Sequence, residues 1–188
     1  MISFRNSYWR LSGFQIFLFE KSKFVFCKLA ALSIFLFPNH PNNIDPTNKT
    51  IQKNDLFLCD SGGQYNFGTT DVTRTICFSN PKQSIKDVYT KVLKGHIAVV
   101  QSDLKKDNTG KKIDVRARKF LKKDGLDYLH GTGHGVGFFL NVHEGPQSIS
   151  KFNSIKIKEG MILSNEPGYY KKGAYGIRIE NLIYVKKN

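Results

Sequence analysis

A glycine-rich segment constrains this chain more than any other feature, because residues 130–137 read HGTGHGVG. Each glycine costs a helix roughly 1 kcal/mol relative to alanine, so the segment argues against a helix although His130 and His134 stand four residues apart. Glycine instead lets the backbone approach another group closely. A third histidine, His143, follows soon after. A single histidine is more often an ordinary packed residue, but three in such a stretch predict a functional site.

Two aspartates belong to a predicted hairpin. The apolar segment 55–60 ends on Asp60, residues 61–68 are rich in turn formers, and residues 69–78 alternate like a returning strand that carries Asp71. A hairpin can bring both carboxylates onto one face, where one becomes protonated unless a cation lies between them. The alternative for either residue alone is a loop carboxylate that accepts backbone amides.

Two glutamates occupy strand-like segments further along. Glu166 ends an apolar run before a Pro-Gly turn, and Glu180 stands in the middle of a predicted strand, on the face that carries Arg178. A surface salt bridge is the alternative for Glu180. Two Asp, two Glu and one imidazole would form a mostly oxygen ligand set, which suits Mn²⁺, Co²⁺ or Zn²⁺ better than a structural zinc site. Such carboxylates can bridge two ions roughly 3.5–4 Å apart.

The middle of the chain predicts two helices. Asn80 and Pro81 are typical of a helix start, as a capping residue and a first-turn residue. Apolar residues then recur at helical spacing over residues 85–99. A second amphipathic helix is predicted from about residue 113 to residue 123, and Gly125 closes it.

The composition bounds the partners and the compartment. The chain has 29 Lys+Arg against 15 Asp+Glu, a formal net charge of +14, but its lysines are scattered in pairs without interleaved aromatic residues. This pattern predicts a solvated basic surface and no nucleic-acid partner. The three cysteines are odd in number and follow no metal-binding spacing, so reduced thiols and a cytoplasmic location are expected.

Residues 1–45 differ in character from the rest of the chain. Their longest uncharged apolar run, residues 29–37, is far shorter than the ~20 residues that a membrane helix needs. No membrane association is therefore expected. Poorly defined structure or a flawed gene model is the favoured interpretation of this segment, and a signal anchor is the alternative.

Six motifs occur in the order seen in pita-bread metallopeptidases. They are DSGGQY at 60–65, TDVTRT at 70–75, HGTGHGVG at 130–137, VHEGP at 142–146, NEPGYY at 165–170 and IRIEN at 177–181. The chain resembles this family from residue 47 to about residue 185, and is most similar to its cytosolic eukaryotic Xaa-Pro aminopeptidase (aminopeptidase P) branch. The resemblance implies an α+β pita-bread fold and a metallo-exopeptidase that hydrolyses the bond between an N-terminal residue and a following proline.

The resemblance also implies two divalent metal ions per active site, with manganese expected and cobalt or zinc as alternatives. Asp71 and Glu180 would bridge both ions. Asp60 would complete one site, whereas His134 and Glu166 would complete the other. A hydroxide that bridges the ions would be the nucleophile at neutral pH. Glu166 would accept the proton of the attacking water and pass it to the leaving nitrogen.

Further residues match family positions around the metals. His143 would hydrogen-bond the substrate carbonyl and the tetrahedral intermediate, and His130 would shape the pocket for proline. Tyr170 and Arg178 match positions that brace the site. His40 lies at about the distance of a further family histidine upstream of the first ligand, but its neighbours do not match.

The resemblance is partial at both ends. Residues 1–45 form an atypical segment that does not resemble the family, and residues 46–188 correspond to the catalytic domain without its C-terminal end. The chain alone is therefore expected to be weakly active or inactive, whereas the intact protein could form a homodimer. A prolidase confined to Xaa-Pro dipeptides is the alternative enzyme. A pita-bread protein that binds partners without catalysis is the alternative from another class.

Overall fold

The computed structural model describes residues 10–11, 14–15, 28–35, 51–65, 67–138 and 141–186. The strands are β1 (Arg10–Leu11), β2 (Phe14–Gln15), β3 (Lys28–Phe35), β4 (Leu56–Tyr65), β5 (Gly68–Thr69), β6 (Val72–Cys77), β7 (Gly133–His134), β8 (Ser148–Ile149), β9 (Ile162–Asn165), β10 (Gly168–Lys171), β11 (Tyr175–Arg178) and β12 (Asn181–Tyr184). The helices are α1 (Gln83–Val100) and α2 (Gly110–Lys122), which lie between β6 and β7 in the chain.

The predicted hairpin forms, but its first strand is longer than expected. β4 runs antiparallel to β6 with Asp60 opposite Thr73, and it continues to Tyr65 through the glycines that were expected to turn. β3 pairs along the other edge of β4, with Ser33 opposite Asp60. Neighbours on both edges satisfy the backbone groups of β4, so the strand stays extended despite its turn-forming residues.

The first helix forms where the apolar spacing predicts it, but the predicted cap is wrong. α1 begins after Lys82, without a side-chain cap. The side chain of Asn80 instead accepts a hydrogen bond from Lys86 Nζ at 2.6 Å. The buried residues of α1 confirm the helical period; they are Val88, Val92, Gly95 and Val99.

The second helix begins earlier than predicted, at Gly110. A Cβ on Gly110 would lie 1.8 Å from the carbonyl oxygen of Ser148, so the approach of α2 to β8 needs a glycine at this end. Gly95 allows α1 to approach α2 in the same way, because a Cβ there would lie 2.3 Å from the carbonyl oxygen of Ala117. Gly125 follows α2 with a φ of 69°, which confirms the predicted helix end.

The C-terminal strands pair in two antiparallel ribbons, β9 with β12 and β10 with β11. Glu180 lies in the break between β11 and β12, so the prediction that it stands in the middle of one strand is wrong. The chain leaves the β10 ribbon and joins β9 at this point. Two apolar cores support the strands: one contains Leu56, Val88, Val92, Leu121, Tyr128, Ile177 and Ile179, and the other contains Val99, Ile113, Ala117, Ile149, Ile157, Leu163 and Val185.

Within the described residues, neither α1 nor α2 is both long and apolar enough to cross a membrane. His40 lies outside the described residues, as does most of the segment 1–45.

Candidate metal centre

Three side chains from separate parts of the fold converge on one point. Asp71 precedes β6, His134 lies on β7, and Glu180 occupies the break before β12. One ligand atom from each lies within 4.8 Å of the other two. Asp71 is 9% exposed and Glu180 is 1% exposed. Two ligands of one ion stand at most about twice the metal–ligand distance of roughly 2.0–2.3 Å apart, so this spacing suits one divalent ion shared by all three.

The imidazole of His134 is oriented for metal binding. Its Nδ1 lies 2.9 Å from the carbonyl oxygen of Gly135, which can only accept, so Nδ1 carries the hydrogen. Nε2 points at the carboxylates, 3.4 Å from both Asp71 Oδ2 and Glu166 Oε1. Burial lowers the pKa of His134, but Asp71 and Glu166 outweigh it and raise the pKa overall. A backbone carbonyl that fixes the tautomer is the usual arrangement around a metal-binding histidine.

The other two predicted ligands lie beside this group. Glu166 directly follows β9 and faces His134, as its distance to Nε2 shows. Asp60 lies on β4, close enough to Asp71 for the two carboxyls to interact. Arg178 lies close to both of these carboxylates. Its Nη2 donates to Asp60 Oδ2 at 2.5 Å, and its Nε lies 3.9 Å from Glu166 Oε2. The structure therefore brings all five sequence-predicted ligand residues into one region.

Crowding of acidic groups perturbs their pKa values. Burial raises the pKa of Glu180 to about 8, with Glu166 and Asp71 adding to the effect. Burial also raises the pKa of Glu166, although His134 and Arg178 oppose this. The pKa of Asp60 is raised by burial and by Asp71, against the lowering effect of Arg178. A bound cation would relieve the repulsion that these carboxyls otherwise relieve by protonation, so the donor set fits a divalent metal.

Two hydroxyl side chains position the glutamates. Thr73 Oγ1 donates to Glu180 Oε2 at 2.5 Å, and the Glu180 amide donates to the Thr73 carbonyl at 3.1 Å. Ser164 Oγ donates to Glu166 Oε1 at 2.9 Å and accepts from the His134 amide at 2.9 Å. The sequence analysis did not single out either residue. Each could have been found from the sequence, because each is a hydroxyl residue at a core-facing strand position, two residues from a predicted ligand.

His143 is exposed and lies beside His134. Its ring lies 4.0 Å from the ring of His134, centroid to centroid, and nearly perpendicular to it at 85°. Burial and the neighbouring His134 lower the pKa of His143. A neutral, exposed imidazole beside the ligand residues could donate a hydrogen bond to a substrate oxygen.

His130 has both ring nitrogens engaged. Nδ1 lies 2.7 Å from the Gly131 carbonyl oxygen, and Nε2 lies 2.9 Å from the hydroxyl of Tyr170. Arg178 Nη1 donates to the same hydroxyl at 3.2 Å, so Tyr170 can donate to His130. Burial lowers the pKa of His130 to about 4. The ring is therefore neutral, and both of its nitrogens are held in place.

A buried ion pair behind the histidine segment was missed by the sequence analysis. Arg118 Nε lies 2.8 Å from Asp114 Oδ2, and the residues are 5% and 1% exposed. Both stand on the face of α2 that also carries Ile113 and Leu121. Two opposite charges within an apolar helical period were the signal that could have revealed the pair.

The chain matches a known family over most of its length: residues 37–187 match metallopeptidase family M24. Probable Xaa-Pro aminopeptidase P of Fusarium vanettenii is 55% identical over 141 residues, which is 73% of this chain and 23% of that protein. The protein of the same description from Coprinopsis cinerea is 54% identical over 140 residues, 73% of this chain and 22% of that protein. The chain thus spans less than a quarter of the length of these relatives.

Solved structures are similar as well. An X-prolyl aminopeptidase from Caenorhabditis elegans, described as a cytosolic enzyme with a di-nuclear active site, superposes with a TM-score of 0.70 at 36% identity. That match covers 88% of this chain and 28% of the other. Prolidase from Pyrococcus furiosus superposes with a TM-score of 0.71 at 33% identity, covering 79% of this chain and 43% of the other.

The similarity of these folds confirms the predicted α+β pita-bread architecture. The family match covers well over half of the chain, and the relatives and solved structures agree with it. The chain belongs to metallopeptidase family M24.

Proposed function

We propose that the protein is a metal-dependent aminopeptidase that removes an N-terminal residue preceding proline. The observation that carries the proposal is the convergence of Asp71, His134 and Glu180 within 4.8 Å, with two more carboxyls beside them. The similarity to Xaa-Pro aminopeptidase P over 73% of the chain supports the choice of substrate.

The five residues Asp60, Asp71, His134, Glu166 and Glu180 would hold two divalent ions, and we propose manganese, with cobalt or zinc as alternatives. Four carboxyls and one imidazole form the mostly oxygen set that suits these ions. When bound, the ions would acidify water and polarise the scissile carbonyl. We assign no other described residue to the ion ligands.

Proton transfer is assigned to Glu166. Burial raises its pKa from the ordinary glutamate value, so the group is a better proton acceptor than an exposed glutamate. Ser164 holds one of its oxygens, at 2.9 Å. His143, exposed and beside His134, would donate a hydrogen bond to the carbonyl oxygen of the substrate and to the oxyanion that develops from it.

Selectivity for proline is assigned to the surroundings of His130. An Xaa–Pro amide lacks an N–H, so recognition must come from the shape of the pyrrolidine ring rather than from a donor. The imidazole of His130 is fixed at both nitrogens, by Gly131 and Tyr170, and gives a rigid wall for such a ring.

The partners that we propose are peptides with proline in the second position. The scattered lysines give no support to a nucleic-acid partner, and we propose no membrane partner. A homodimer and a cytoplasmic location are also proposed; the latter is supported by the absence of metal-binding or paired cysteine spacing and by similarity to a relative described as cytosolic.

A prolidase is the second candidate, because Pyrococcus furiosus prolidase superposes as well as the aminopeptidase does. Comparing kcat/KM on Arg-Pro-Pro, Arg-Ala-Pro and the dipeptide Arg-Pro separates the two. We expect the intact protein to cleave Arg-Pro-Pro and to leave Arg-Ala-Pro essentially uncleaved. Activity confined to the dipeptide would establish the prolidase.

Metal analysis separates both enzymes from a non-catalytic binding protein. After loading the intact protein with Mn²⁺ and dialysis, we expect close to two ions per active site and loss of both binding and cleavage in Asp71→Asn. Asp87→Asn is the matched control, because Asp87 is exposed on α1 and hydrogen-bonded to Gln83. A folded protein without tight metal would favour the binding protein.

A further inference from the structure

Arg118 is a buried cation at the centre of a hydrogen-bond network behind the candidate site. The residue is 5% exposed, and its side chain donates to Asp114 Oδ2 at 2.8 Å and to Asp127 Oδ1 at 2.6 Å. It also donates to the carbonyl oxygens of Tyr128 and His130, at 2.6 and 2.7 Å. The guanidinium stacks over the Tyr128 ring, 3.9 Å from its centroid. One side chain of α2 thus organises the segment that leads into the histidine motif.

Two carboxylates compensate the buried charge. Burial alone would lower the pKa of Arg118, but the hydrogen bonds to Asp114 and Asp127 raise it overall. The pKa of Asp127 is lowered in turn, because Arg118 outweighs the raising effect of burial. The network also reaches Thr132, whose hydroxyl lies 2.5 Å from Asp114 Oδ1 and 2.5 Å from the Tyr128 hydroxyl. The cation is therefore held from several sides and cannot turn away from the histidine segment.

Arg118 adds an anchor on the main chain of His130 to the two contacts that hold its ring. Arg118 fixes the carbonyl oxygen of His130, whereas Tyr170 fixes the ring. Thr132, two residues later, is tied to Asp114 on the same helix. The direction of the imidazole depends on both anchors, since a shift of the main chain would pull the ring away from Tyr170.

We propose that Arg118 is a positioning residue that fixes the main chain of His130 and thereby the proline side of the site. The proposal rests on the proposed Xaa-Pro activity. A lysine could not replace the arginine, because its single ammonium cannot reach acceptors that diverge in the plane of a guanidinium. Selectivity for proline then depends in part on a buried residue of α2.

A double-mutant cycle tests whether Arg118 acts through His130. We expect Arg118→Lys and His130→Ala each to lower kcat/KM for Arg-Pro-Pro about tenfold or more, mainly through KM, with metal content unchanged. The double variant should be no worse than His130→Ala alone, because the second change removes an effect already lost. Losses that multiply in the double variant would overturn the proposal.

Ile113→Ala is the matched control for a purely structural effect. Ile113 is also buried on α2, at 4% exposed, but it packs in the apolar core that contains Val99 and Leu163, not in the core that contains Tyr128. Any loss of kcat/KM in Ile113→Ala should multiply with the loss caused by His130→Ala. If Arg118→Lys does not fold, Asp127→Asn weakens the same anchor near the surface and must show the same non-additivity with His130→Ala.

Histidine NMR tests the positioning role without any need for catalysis, so a failure of this proposal is distinguishable from a failure of the proposed function. Arg118→Lys should shift the ring signals of His130, whereas Ile113→Ala should leave them in place. Unchanged His130 signals in a folded Arg118→Lys protein would refute the positioning role.

Discussion

Replacing Thr73 with valine tests how the protein prepares Glu180 for a metal. The substitution keeps the shape of the side chain but removes the hydroxyl that donates to Glu180 Oε2 at 2.5 Å. A hydrogen bond to a charged group contributes about 1.5–3 kcal/mol. Without it the pKa of Glu180 should rise from its value of about 8, and Mn²⁺ affinity at pH 7 should fall about ten- to a hundredfold.

Calorimetric titration with Mn²⁺ at pH 6, 7 and 8 measures this effect. Thr75→Val is the matched control, because Thr75 faces inward on the same strand but its hydroxyl donates to the Arg178 carbonyl oxygen at 3.0 Å and to no carboxylate. Its affinity should stay within about threefold of the unmodified protein. Equal losses in both variants, or none in Thr73→Val, would show that the hydroxyl does not prepare the ligand.

Other expected outcomes follow from the same geometry. Mn²⁺ affinity should rise up to tenfold per pH unit between pH 6 and 8, because the metal must displace the Glu180 proton, whose pKa is about 8; a flat titration profile would contradict this. The metal-free protein should lose thermal stability as the pH rises from 6 to 8. The unfolded chain has already released the Glu180 proton near the ordinary pKa of 4.5, whereas the folded protein must give it up at a pKa of about 8. Gly133→Ala should lower the free energy of unfolding by about 1–3 kcal/mol or more, because its Cβ would lie 2.0 Å from the Ser164 carbonyl oxygen; Gly68→Ala, with no atom within 4 Å of its Cβ, is the control in denaturant unfolding.

Local patterns predicted the elements that carry the site. The apolar strand before Asp60, the alternation after Asp71 and the helical period of α1 all appear in the structure. The prediction that Asn80 caps α1 was wrong, because the Asn80 side chain accepts a hydrogen bond from Lys86 instead. Residue preferences at helix starts do not include such a contact. Residues 61–65 continue the strand because β3 and β5 supply partners for β4, and pairing between strands overrides turn propensity.

The sequence by itself determined the residue types and their order: four carboxyls, a glycine-rich histidine segment and the hydroxyls beside them. Only the tertiary structure decided which atoms meet. Asp71 and Glu180 are far apart in the chain, and they come together because β6 contacts β12 and Thr73 bonds to both the backbone and the carboxyl of Glu180. The sequence likewise does not decide which imidazole nitrogen carries the hydrogen. In the structure, the carbonyls of Gly131 and Gly135 decide it for His130 and His134. Hydrogen bonds depend on distance and direction in space, and periodicity along a chain specifies neither.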